Sequence, residues 1–310
     1  MLRNIPKIGL VFFGAFALLP FFVDSPYILG VITMASLYAV WAMSWDIFSG
    51  YTGEINFGYA FFIGTAAFVG AIFGTRLGLT PWLSIAIGAL TAMLLAFILG
   101  ILTLRLRGPY FTIITMAINI AFSELALVLW KWTGGEEGIA GIEPLTDGPA
   151  SDYYVTLIFS FIVFVVLVIL SRSKHGQILI AIRENEDAAE ASGINTIIYR
   201  VLMFGLSAFI AGIGGGLHIH IQMHASHDLL SLSLSTMILI MAIFGGMGTI
   251  IGPMFGAYCL SILSELLRNL AEYRMLIYTG ILVLTIFYAP NGIFLRIKTL
   301  FSEILSKIKG

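Results

Sequence analysis

Long apolar runs separated by short polar connections make up most of this chain. A helix that crosses a bilayer needs about 20 mostly apolar residues, or somewhat fewer where neighbouring helices shield it. The pattern predicts an all-α, polytopic transmembrane bundle of about ten spans with broken helices, folded as one domain over residues 1–310. The predicted spans cover 8–23, 27–48, 55–75, 82–103, 110–129, 153–170, 198–217, 231–249, 254–268 and 275–290.

Composition agrees with this pattern. Of the residues, 59% are hydrophobic and 11% are charged, whereas about 25% are charged in soluble domains. A formal net charge of -1 gives no basic excess that would attract nucleic acid. The single cysteine, Cys259, excludes an internal disulfide.

Lysine and arginine are concentrated on one predicted side of the membrane. With ten crossings, the cytoplasmic group is Arg3, Lys7, Arg105, Arg107, Arg172, Lys174, Arg183, Arg200, Arg296, Lys298, Lys307 and Lys309. The external group is Arg76, Lys131, Arg268 and Arg274. This bias predicts cytoplasmic N- and C-termini, an external loop at about 130–152 and a cytoplasmic loop at about 171–197. We expect the N-terminal apolar run to be retained as the first span, since no small-residue cleavage site follows it.

The cytoplasmic loop contains the most acidic stretch of the chain, Arg183 to Asn195. Its acids lie early, its alanines lie in the middle, and Gly193 follows. This order predicts a short helix from Glu184 to Ser192 that ends at the glycine. So short a helix needs support from the rest of the protein.

Two glycine-rich stretches interrupt the apolar runs. In the first, Gly50 to Gly58 with Asp46 close by, glycines and polar residues would break a helix and leave backbone groups facing a watery cavity. An ordinary cytoplasmic turn is the alternative. In the second, the four-residue spacing of Gly248, Gly252 and Gly256 suits close helix packing, and a solute path is the sharper interpretation. The candidate path residues are Gly50, Tyr51, Thr52, Gly53, Glu54, Asn56, Gly245, Gly246 and Gly248.

Other polar residues carry weaker signals. Glu124 and Glu265 fall inside or near the ends of spans, where an acid is expensive. A cluster of histidines after the seventh span has spacings that suit a metal only if the segment is helical, and solvated external histidines are the alternative. These are His218, His220, His224 and His227. The chain has no phosphate-binding loop and no hydrolase motif, so we expect no catalytic residue, no bound cofactor and no ATP site in it.

Three stretches resemble the LivM-type membrane subunit of bacterial branched-chain amino-acid ABC importers. The first is the Gly-Tyr-Thr-Gly segment of 50–64. The second is Leu-Arg-Leu-Arg-Gly-Pro-Tyr-Phe at 104–111, followed by Trp-Thr-Gly-Gly at 132–135. The third is 183–195 with the downstream glycines of 245–253. Glu54 and Tyr59 depart from the family, which often has Gln and His there. The transported side chain is therefore the least certain part of the match.

The resemblance implies an inner-membrane permease that moves leucine, isoleucine and valine by alternating access. It implies partners: cytoplasmic ATP-binding subunits that hold ATP and Mg, a second homologous permease and an external solute-binding protein. It also identifies a coupling segment that docks on the ATPase: Glu184, Glu186, Asp187, Ala188, Ala189, Glu190, Ala191 and Gly193. Alternatives are the same machine for urea or short amides, an ion-coupled transporter using Asp46, Glu54 or Glu124, and, more weakly, a membrane enzyme.

Overall fold

The computed structural model describes residues 5–23, 25–106, 108–268, 273–288, 292–294 and 296. Within these residues the chain is a helical bundle with one small two-stranded sheet. The helices are α1 Ile5–Ala17, α2 Pro26–Thr52, α3 Tyr59–Leu77, α4 Pro81–Thr103, α5 Pro109–Val128, α6 Trp130–Thr133, α7 Pro149–Arg172, α8 Lys174–Glu184, α9 Glu186–Ala191, α10 Thr196–Gln222, α11 Leu232–Gly245, α12 Ile251–Leu266 and α13 Arg274–Tyr288. Strands β1 Ile139–Ala140 and β2 His224–Ala225 pair antiparallel, and single 3₁₀ turns occupy Leu19–Phe21 and His227–Leu230.

Each of the ten predicted apolar segments coincides with a helix. By length and composition, six of the described helices are suited to cross a membrane: α2, α3, α4, α5, α7 and α10. The apolar segments Ile8–Phe21, Leu232–Gly245 and Ile251–Leu266 are shorter. The all-helical membrane fold is confirmed, and the number of ten crossings stays a prediction.

Proline and glycine set the ends of several long helices. A proline suits the first turn, where its missing N–H costs no hydrogen bond, and a glycine accepts the left-handed conformation at a helix end. Such prolines are Pro26, Pro81, Pro109 and Pro149, and such glycines are Gly53 at φ +80° and Gly78 at φ +64°.

Helix α2 lies at the centre of the bundle and packs against α7, α10 and α12. Its tryptophans are fully buried and satisfied: Trp41 donates to the Ala211 carbonyl at 3.2 Å, and Trp45 donates to the Asn56 carbonyl at 2.8 Å. Glycines on α10 permit close approach, because a Cβ on Gly215 would lie 2.5 Å from the Ile63 carbonyl oxygen. The core is therefore built from one long central helix and close glycine contacts around it.

The bundle has two distinguishable ends. At the α9 end, defined by α8 and α9, the Arg183 side chain reaches the last turn of α2. At the β1–β2 end, Tyr153 near the start of α7 donates to the Phe16 carbonyl at 2.5 Å. Between the ends, large apolar side chains such as Leu94, Ile113 and Ile162 are exposed, as the exterior of a multi-pass membrane protein requires.

The orientation of the bundle in the membrane stays a prediction. Five of the basic residues on which it rests lie outside the described residues: Arg3, Arg107, Lys298, Lys307 and Lys309. That the α9 end faces the cytoplasm stays a prediction.

Two element boundaries differ from the sequence-based expectation. The helix expected to end at residue 217 continues to Gln222, so His218 and His220 lie inside α10 rather than in an external loop. The helix expected from Glu184 to Ser192 begins at Glu186, because Asn185 leaves the helical conformation and separates α8 from α9. Apolar periodicity alone does not reveal either change.

Candidate coupling site and solute cavity

Helix α9 is short but capped at both ends. The Asn185 side-chain oxygen accepts a hydrogen bond from the Ala188 N–H at 3.0 Å. After the helix, Gly193 adopts φ +85°, and its N–H bonds to the Glu190 carbonyl at 2.9 Å. The Ile194 N–H bonds to the Ala189 carbonyl at 3.1 Å, which completes a Schellman ending. The predicted stop at Gly193 is thus present as a left-handed glycine.

The two faces of α9 have different surroundings. Ala189 is 5% exposed and packs toward the bundle. Among the other predicted coupling residues, the Glu186 and Glu190 carboxylates bond to Thr196. The exposed members are Glu184, Asp187, Ala188, Glu190, Ala191 and Gly193. This exposed face is accessible to another protein without rearrangement of the helix.

A buried arginine joins α9 to the body of the protein. Arg200, near the start of α10, is 3% exposed. Its guanidinium bonds to the Glu186 carboxylate and lies 3.5 Å from Glu54 Oε1. The Glu54 carboxylate also accepts from the Gly108 N–H at 3.2 Å. We call Glu54, Arg200 and Glu186 the Arg200 cluster.

Thr196 adds a second connection between α9 and α10. Its hydroxyl lies 3.0 Å from Glu186 Oε1 and 2.8 Å from Glu190 Oε1. Removing the arginine from such a buried cluster leaves uncompensated charge, a large penalty. Glu186 and Glu190 therefore hold α9 onto its own chain.

A second arginine connects α8 to the last turn of α2, which lies against the glycine turn between α11 and α12. Arg183 Nη1 donates to the Gly50 carbonyl at 2.7 Å. A Cβ on Gly50 would lie 2.7 Å from the Gly248 nitrogen, so the two backbones touch. The turn itself is held by Asp46, whose carboxylate accepts from the Gly248 N–H at 2.6 Å and the Ile250 N–H at 3.0 Å.

The candidate path residues are brought together at the α9 end but are tightly packed there. Tyr51 and Thr52 are 5% exposed, Glu54 is 8% exposed and Asn56 is 1% exposed. Gly53 ends α2, and Gly245, Gly246 and Gly248 form the turn against it. The cavity beside Asn56 measures about 10 Å³, too small for an amino acid. Their role in a path stays a prediction.

A much larger cavity lies at the β1–β2 end. Its volume is about 660 Å³, within the range of small-molecule sites. It is lined by the first three turns of α2, the end of α10 and the last turns of α12. Glu265, singled out in the sequence, stands at it beside Arg268. Glu124, by contrast, is exposed on α5.

The histidines do not converge. His220 bonds through Nε2 to the Ser84 hydroxyl at 2.8 Å and through Nδ1 to the Glu143 carbonyl at 2.6 Å. His227 Nε2 lies 3.1 Å from the Ser123 hydroxyl, and His224 belongs to β2. Over the described part of the chain, no three His, Cys, Asp or Glu residues come together as metal ligands.

Sequence reasoning missed Arg200 and the cavity. In the sequence, Arg200 contributes only to the count of basic residues on each side of the membrane. A single charge early in an apolar run nevertheless indicates a buried partner, and this signal could have found it. The cavity depends on how α2, α10 and α12 splay at the β1–β2 end. No local pattern in the sequence encodes that arrangement.

Comparison with known proteins identifies the family of this chain. Residues 27–286 match the family profile described as "Branched-chain amino acid transport system / permease component". The chain is 28% identical over 292 residues to the high-affinity branched-chain amino acid transport system permease protein LivM of Escherichia coli, and 27% identical to that of Salmonella typhimurium. Each alignment covers 85% of this chain and 69% of the relative.

A third relative is named for a different class of solute. The nucleoside ABC transporter permease protein NupC of Lactococcus lactis is 26% identical over 191 residues, covering 56% of this chain and 60% of the relative. No solved structure matches the chain. Because the family match extends over most of the sequence, this chain belongs to the permease family of branched-chain amino acid transport systems.

Proposed function

We propose that this chain is the permease subunit of an ATP-binding-cassette importer that moves leucine, isoleucine and valine across a bacterial inner membrane. The observation that carries the proposal is α9: its inner face is bonded to the bundle through the Arg200 cluster, while Asp187, Ala188 and Ala191 remain exposed. A short helix bonded to the bundle on one side, with small and acidic residues exposed on the other, is suited to fit into another protein.

The partners follow from what the chain lacks. Its sequence contains no phosphate-binding loop, so ATP and Mg would be held by separate ATP-binding subunits docked at α9. A second homologous permease would complete the path, and an external solute-binding protein would deliver the solute. In this scheme the chain itself catalyses no reaction. Acids at the α9 face would contribute orientation and specificity more than affinity.

Two connections would carry movement from the ATPase into the membrane. The Arg200 cluster links α9 to Glu54, just after α2, and Arg183 links α8 to Gly50, whose backbone touches the glycine turn. A shift of α8 and α9 would therefore pull on the end of α2 and on the connection between α11 and α12 together. Such a movement of packed helices is an ordinary route to alternating access.

Reconstituted uptake tests this proposal. The complete transporter, purified with its partners, should take up labelled leucine only with ATP, and excess isoleucine or valine should compete. Competition by nucleosides instead would favour the kind of solute named for the Lactococcus relative. Uptake by this chain alone under an ion gradient would refute the proposal, and competition by urea or short amides alone would refute its solute.

A further inference from the structure

The cavity at the β1–β2 end has the dimensions of a binding site. Its lining extends along α2 from Pro26 to Tyr38, about 18 Å at 1.5 Å per residue. A volume of about 660 Å³ admits a small organic molecule together with water. Pro149 and Asp152 of α7 close a further side.

Charges of both signs stand together at this cavity. Tyr27 donates to the Glu265 carboxylate, and Arg268 Nη1 lies 3.4 Å from the Tyr27 oxygen and 3.5 Å from Glu265 Oε1. Both arginine contacts use Nη1, so within the described residues the guanidinium still presents Nη2 and Nε as donors. Asp152 lines the same cavity, with its carboxylate accepting from the Thr146 hydroxyl at 2.8 Å.

Apolar side chains also line the cavity. Val31, Met34, Ile221 and Met237 line it. Ser261 also lines it and is 7% exposed, and its hydroxyl has no hydrogen-bond partner. A buried hydroxyl without a partner costs free energy, which an occupant with a polar group would recover. The cavity thus offers a cation and two anions together with apolar side chains.

We propose that this cavity binds a zwitterionic α-amino acid with an apolar side chain. The carboxylate of the solute bonds to Arg268, its ammonium group lies between Glu265 and Asp152, and its side chain extends toward Met34 and Met237. This inference rests on the proposed function, and it gives the solute a site within one permease. An uncharged solute such as urea would leave the charged groups without a counterpart, and a carboxylate-free amine would leave Arg268 unused.

Gly30 provides a variant that fills the cavity without disturbing the fold. It lines the cavity on α2, and a Cβ at this position would meet no atom within 4 Å. Gly14 on α1 is its matched control, since a Cβ there also meets no atom within 4 Å and Gly14 is not among the residues that line the cavity. Gly30→Leu and Gly14→Leu therefore make the same chemical change inside and outside the cavity.

The experiment measures equilibrium binding of labelled leucine to the purified permease and ATPase complex without the solute-binding protein. Binding should be at least tenfold weaker in Gly30→Leu and in Arg268→Gln, and within twofold of the unchanged chain in Gly14→Leu. Leucinamide, which lacks the carboxylate, and 4-methylpentanoate, which lacks the ammonium group, should each compete at least tenfold less well than isoleucine.

Two results would overturn the inference: no saturable leucine binding by the unchanged complex, or equal binding by Gly30→Leu. Equal competition by leucinamide or by 4-methylpentanoate would overturn the zwitterion assignment. Either failure is distinguishable from failure of the proposed function, which is judged by ATP-driven leucine uptake with all partners present. Elution of each variant as a single species on gel filtration checks that it is folded.

Discussion

At the α9 end of α2, charged side chains are buried and bonded to one another, whereas at the β1–β2 end they line an open cavity. Arg200 lies between Glu54 and Glu186 at the first end, with only about 10 Å³ of space nearby. Arg268 and Glu265 stand at about 660 Å³ of space at the second. The same residue types thus form a rigid connection in one place and a ligand-sized opening in the other.

The difference follows from how closely the backbones approach. At the α9 end, Gly50 and Gly248 allow α2 and the glycine turn to touch, so side chains find partners within the chain. At the β1–β2 end, Gly30 faces open space, and the Ser261 hydroxyl has no partner. A glycine of α2 therefore permits close backbone packing at one end of the helix and borders open space at the other.

The largest effect is expected from breaking the Arg200 cluster. Arg200→Gln leaves two buried carboxylates without their shared cation and should lower the free energy of unfolding by about 3–5 kcal/mol. Reversible unfolding in mixed detergent, followed by tryptophan fluorescence, measures the loss. Adding Glu54→Gln and Glu186→Gln should restore most of it, and a stability of Arg200→Gln equal to that of the unchanged chain would contradict the assignment.

The next largest effect is the difference in stability between alanine substitutions at two glycines of α2. Gly50→Ala forces a Cβ within 2.7 Å of the Gly248 nitrogen and should cost about 1–3 kcal/mol. Gly30→Ala meets open space in the same helix and should stabilise the protein by about 0.4–1 kcal/mol. The same unfolding assay compares the two. If both substitutions changed the free energy of unfolding in the same direction, the two ends of α2 would not be packed differently.

The exposed face of α9 gives the third prediction. Ala188→Asp adds a charge where a partner is expected to fit, and should weaken retention of the ATP-binding subunit at least tenfold, about 1.4 kcal/mol. Co-purification from native membranes measures the retained subunit. Ala150→Asp, exposed in the first turn of α7 at the other end, is the control and should change nothing. Equal retention in both variants would argue against docking at α9.

The smallest effect concerns the cap of α9. Asn185→Ala removes the hydrogen bond to the Ala188 N–H and should cost about 1 kcal/mol of local stability. Hydrogen exchange should be faster by about fivefold over residues 186–193 and unchanged in α7. Uniform protection in both regions would mean that Thr196 and the Arg200 cluster hold α9 without the cap.

The sequence was sufficient for the features that depend on local pattern. Apolar runs located the helices, prolines marked several starts, and Gly193 marked the end of α9. The Arg200 cluster was not predictable, because its three members are separated by up to 146 positions and only the fold unites them. The cavity was missed for a related reason, because it is a space between several helices and no single helix encodes it.

The most direct test of the whole account uses one affinity-purified sample of each of two variants and measures bound leucine together with retained ATP-binding subunit. The account predicts that Gly30→Leu loses leucine binding and keeps the subunit, while Ala188→Asp loses the subunit and keeps leucine binding. Loss of the same property in both variants would contradict the separation of solute binding and ATPase coupling between the two ends of α2.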